Sequence, residues 1–91
     1  MSSPFGDKVV YMETYGDKLE AALAHQIRVE LVDRGMEQQD LAGKVGINRV
    51  TMSNYMTGKR SIPMPVFFKI AEALGVSPQV LMQRTEARIS Q

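Results

Sequence analysis

Apolar residues recur every fourth position in the first third of the chain, at Leu19, Leu23, Ile27 and Leu31. That spacing lines them along one face of a helix. Asp17-Lys18-Leu19-Glu20 opens the stripe as a capping box, with Asp17 as N-cap and Glu20 three residues on. The helix is expected to end at Arg34, with Gly35 closing it. Further along, Pro65 suits the first turn of a helix that carries Val66, Phe67, Ile70, Ala71 and Leu74 inward and stops at Gly75. Ser77-Pro78 pairs an N-cap with a proline at the first helical position. It starts a last helix that runs through Val80 and Leu81 toward Arg88.

Two shorter helices fit between these, Gln38–Val45 and Arg49–Met56, joined by Gly46-Ile47-Asn48. A glycine takes positive φ at low cost, so Gly46 ends the first of the pair. Asn48 can accept a hydrogen bond from the free N–H groups of the next turn, so it caps the second. A connector this short makes the helices cross steeply, as in a helix-turn-helix. The crossing needs small residues, which Ala42 and Gly43 supply, while Leu41, Val45, Ile47, Met52 and Tyr55 face inward. Arg49, Val50, Ser53 and Asn54 are then left outside, with Thr51 at the margin. Arg can bond guanine through two hydrogen bonds, Asn can do the same with adenine, and Val can meet a thymine methyl. A helix showing that set near its start can read base edges in a major groove.

The remaining stretches add little regular structure. Residues 1–16 read as an N-terminal extension, in which only Val9-Val10-Tyr11-Met12 makes a short apolar run, strand or helical turn. A domain of five helices over residues 17–91 accounts for the rest, and the fold class is all-α. His25 lies off the apolar stripe and reads as a surface residue.

Composition narrows the function. The 91 residues include no cysteine and one histidine, which excludes disulfides, thiolate sites and a histidine metal cluster. No metal or cofactor is expected. An enzyme is not expected either, because no nucleophile–base pairing and no glycine-rich phosphate loop can be found. No apolar run is long enough to span a membrane, and the first residues lack the basic and apolar regions of a signal peptide.

Net charge is only +1, but its distribution is uneven. From residue 41 to residue 70 the charged side chains are Lys44, Arg49, Lys59, Arg60 and Lys69, all basic. From residue 1 to residue 40 acids outnumber bases. A positive half centred on the exposed helix suits a phosphate-facing surface, where each neutralised phosphate releases condensed counterions.

Gln38-Gln39-Asp40-Leu41-Ala42, Val45-Gly46-Ile47, Ser53, Gly58-Lys59-Arg60 and Ile70-Ala71-Glu72-Ala73-Leu74-Gly75-Val76 together resemble the Cro/C1-type helix-turn-helix domain of phage repressors and bacterial regulators. The resemblance covers residues 19–82. It implies a five-helix, lambda-repressor-like DNA-binding domain with the helix-turn-helix at helices two and three. Carried across by position, Arg49, Val50, Ser53 and Asn54 fall where such proteins contact bases. Gln38, Asn48, Thr51, Thr57, Lys59 and Arg60 fall where they grip the phosphate backbone. The implied function is transcriptional regulation, most simply a phage or prophage repressor, binding a two-fold symmetric double-stranded operator as a homodimer in a bacterial cytoplasm. Val80, Met82 and Ile89 of the last helix, with the N-terminal segment, are candidate dimer surfaces. An antitoxin-type regulator that binds both DNA and a toxin protein is the alternative.

Two departures from the family pattern stand out. Many phage repressors pair an Arg of helix one with a Glu just before the loop glycine; here Leu31 and Met56 take those places. Replacing both partners of a buried ion pair by packed apolar groups is often neutral or stabilising. Leu31 and Met56 are therefore expected to touch as an apolar clamp. The other departure is Val50, at a position that is polar in many members, which favours a thymine methyl contact there.

Overall fold

The computed structural model of the protein describes residues 13–90 and is built of five helices. They are α1 (Tyr15–Asp33), α2 (Gln38–Val45), α3 (Arg49–Met56), α4 (Met64–Leu74) and α5 (Pro78–Ile89). No strand occurs among the described residues. The expectation for Val9–Met12 lies outside them.

Local signals set most of these boundaries. Gly46 ends α2 in the left-handed region, at φ 86°. The Asn48 side chain accepts a hydrogen bond from the Thr51 N–H at 2.7 Å and starts α3. Pro65 sits in the first turn of α4, and Gly75 ends that helix at φ 76°. The Ser77 hydroxyl caps α5 by accepting from the Val80 N–H at 3.0 Å. The start of α1 differs from expectation. Thr14, not Asp17, is the N-cap, and Asp17 is the third helical residue of the box. The Asp17 N–H donates to Thr14 Oγ1 at 3.1 Å, and the Thr14 N–H donates to Asp17 Oδ2 at 3.0 Å. Two orphan N–H groups are satisfied this way, one turn earlier than the apolar stripe suggests.

The core is one apolar cluster. Leu23, Ile27 and Leu31 come from α1, Leu41 and Val45 from α2, Met52 and Met56 from α3, Phe67, Ile70 and Leu74 from α4, and Leu81 from α5. Helix α1 packs on α5 and α3, while α2 packs on α3 and α4. Ala42 is buried in the same cluster, so it supplies the small side chain at the α2 crossing. Gly43 does not. It is exposed, and a Cβ placed on it would meet nothing within 4 Å. Glycine inside a helix costs roughly 0.5–1 kcal/mol relative to alanine. Gly43→Ala is therefore expected to raise stability by about that amount in a urea unfolding curve; an unchanged or lower midpoint would contradict it.

Leu31 and Met56 are both buried in the core cluster. A polar tie joins the same two helices: the Arg28 guanidinium of α1 donates to the Met56 carbonyl oxygen at 2.6 Å. That carbonyl belongs to the last residue of α3, where the intrahelical acceptor has no partner of its own.

A second polar feature fastens α1 to α5. Glu30 has only 2% of its surface exposed. Its carboxylate accepts from Gln26 Nε2 at 2.7 Å, from Arg34 at 2.6 Å, and from Arg84 of α5 at 2.9 and 3.0 Å. Arg88 of α5 donates to the Gln26 side-chain oxygen. Arg34 reaches further and donates to the Leu74 carbonyl at the end of α4, at 2.8 Å. Burial pushes the Glu30 carboxyl up, but hydrogen bonds from Arg84, Gln26 and Arg34 outweigh it and hold the group below its ordinary 4.5.

Candidate nucleic-acid interface

Helices α2 and α3 meet so that the outer flank of α3 stays open. Val50 has 69% of its surface exposed, and Arg49 in the first turn of α3 is also exposed. Met52, Tyr55 and Met56, on the opposite flank, are buried. Thr51, Ser53 and Asn54 are half-buried between the two flanks. The short capped turn fixes the helix on the core by one side and leaves Arg49 and Val50 exposed on the other.

A cleft runs along this open side. Gln38, Arg49, Val50, Ser53, Asn54 and Lys59 all line it, together with Glu37, Gln39 and Met52. All four residues expected to contact bases are therefore gathered with two of those expected to contact phosphates. Ser53 and Asn54 sit half-buried in its wall, and Gln38 is half-buried at the start of α2. The first N–H groups of α2 carry the positive end of the helix dipole, which favours an anion.

The other expected phosphate contacts are placed differently. Asn48 lines a neighbouring hollow with Gln39, Gly43, Arg49 and Val50, but its side-chain oxygen is engaged as the cap of α3. Its amide nitrogen is the group that can still donate outward. Thr51 is half-buried and lines neither hollow. The Thr57 hydroxyl donates back to the Ser53 carbonyl at 2.8 Å and closes the end of α3. Lys59 and Arg60 part company. Lys59 shares the cleft with α3, whereas Arg60 lines a separate hollow with Glu13, Asp17 and Glu20 of the acidic half. Both cations follow Gly58, which takes φ 81° in the turn between α3 and α4. A hydrogen bond of 2.7 Å from the Ser61 hydroxyl to Glu20 holds the rest of the loop against α1.

Two cleft residues were not anticipated. Gln39 lines the hollows on both sides of the α3 N-terminus, and Glu37 puts a carboxylate beside Gln38. Both lie at the start of α2, so only the crossing of α2 over α3 brings them to this surface.

The helix-turn-helix family model matches residues 27–81, from the middle of α1 to the first turn of α5. The chain belongs to the helix-turn-helix family of Cro/C1 type. Solved structures with the same fold include the clp gene regulator ClgR from Corynebacterium glutamicum. It is 19% identical, with a TM-score of 0.75, over 87% of this chain and 81% of that one. The hypothetical transcription factor NHTF from Neisseria is 26% identical, with a TM-score of 0.71, over 91% and 95% of the two chains. No match was found among curated proteins. Family membership makes this Cro/C1-type domain a DNA-binding transcription regulator. Among the described residues no helix is long and apolar enough to cross a membrane.

Proposed function

We propose that this Cro/C1-type domain is a sequence-specific repressor of phage or prophage type, inserting α3 into the major groove of duplex DNA as a homodimer. Arg49, Val50, Ser53 and Asn54 read base edges. Gln38 and Lys59 hold the phosphate backbone on either side, helped by Asn48, Thr51, Thr57 and Arg60. The observation that carries the reading is the shared cleft: Arg49, Val50, Ser53 and Asn54 line one open surface with Gln38 and Lys59. One reading helix spans too few base pairs for useful selectivity, so two copies would enter grooves about 34 Å apart. Val80, Met82 and Ile89 are all partly exposed on α5 and offer dimer material, although Met82 also packs against the core cluster.

Selection of bound sites from random duplexes tests the whole reading. A two-fold symmetric motif is expected; recovery of no enriched sequence would sink it. Lys59→Ala supplies a second test. The ammonium group faces phosphate rather than base, so affinity should fall alike on all sequences. The slope of log K against log salt should flatten by about one unit. A loss confined to one base position would place Lys59 among the base-reading residues instead.

A further inference from the structure

We propose that Glu37 is a negative determinant of DNA affinity, a carboxylate placed in the phosphate-facing cleft that lowers binding to duplexes of any sequence. The inference rests on the DNA-binding reading above. Glu37 is the sole acid among the residues lining the cleft that holds Gln38, Arg49, Asn54 and Lys59. Its side chain is exposed, and among the described residues no Lys, Arg or His nitrogen lies within 4 Å of its carboxylate. The charge is therefore not cancelled by a cationic side chain before a polyanion arrives. It immediately precedes Gln38, so a phosphate held at the start of α2 would meet a like charge beside it.

Phosphate contacts supply essentially all of non-specific binding, whereas base-edge contacts add only at the right sequence. A fixed repulsion in the phosphate cleft weakens the first kind of binding without supplying the second. With a net charge of only +1, the chain has little general attraction to DNA to begin with. Glu37 keeps it so, and occupancy then depends on what α3 reads.

The test compares wild-type chain with Glu37→Gln by fluorescence-anisotropy titration. The probes are a random-sequence duplex and the selected site, equal in length, each at low and at moderate salt. Glu37→Gln should tighten binding to the random duplex roughly three- to tenfold at low salt, with the gain shrinking as salt rises. Glu37 is the N-cap residue of α2, so Glu37→Asn, which supplies a good capping side chain there, should do the same, and thermal unfolding of both variants confirms the fold. Unchanged or weaker binding to the random duplex would overturn the proposal. So would a loss confined to the selected site, since the carboxylate would then be accepting a cytosine amino group. Failure of the wild-type chain to bind any duplex would instead bring down the DNA reading itself.

Discussion

Arg49→Ala is expected to weaken binding to the selected site by about 1–3 kcal/mol, roughly 5- to 150-fold, and to relax the preference at one base position. The size follows from a paired hydrogen bond to guanine, which a methyl group cannot replace. The position makes the result readable. Arg49 is the first residue of α3, exposed and free of intramolecular ion pairs among the described residues. A cation in the first helical turn opposes the helix dipole, and alanine is the better helix former. The melting temperature should therefore hold or rise slightly, so weaker binding cannot be put down to unfolding. Equal loss on every duplex would move Arg49 from the base-reading set to the phosphate set.

The residues of this surface differ in how far local pattern reveals them. The limits of α2 and α3 follow from Gly46 and Asn48, which act on their own backbone, and those limits agree with expectation at both ends. The start of α1 offers two overlapping boxes, Thr14 with Asp17 and Asp17 with Glu20. The apolar stripe beginning at Leu19 favours the later one, but the chain uses the earlier. Tertiary placement is harder to see. Lys59 and Arg60 are adjacent in sequence and line different hollows. Glu37 and Gln39 reach the cleft only through the angle between two helices. The buried Glu30 had a signal that a four-residue stripe conceals. It lies three residues after Ile27, and Gln26 lies three after Leu23, so both fall on the inward face of α1.

Glu30→Ala is expected to cost roughly 2–3 kcal/mol of stability. A fully sealed ion pair broken on one side costs about 3–5 kcal/mol. Here the arginines can turn partly to water, since the Arg34 and Arg84 side chains keep 29% and 47% of their exposure, so the loss falls below that range. Gln26 cannot escape in the same way. It is buried, and removing the carboxylate leaves its amide without an acceptor. Glu30→Gln should cost less, because it keeps the shape and an acceptor oxygen while losing the charge. The pH dependence identifies the charge as the cause. The folded-state pKa lies below the ordinary 4.5, so the unfolded chain takes up the proton first as pH falls. The stabilisation is thus complete above that ordinary value and drains away below it, as pH falls toward and through the folded pKa. Urea unfolding of wild type and Glu30→Gln from neutral pH to pH 3 should therefore show two curves converging at the acid end. A gap of constant width would mean that packing, not the arginine-bound carboxylate, joins α5 to α1.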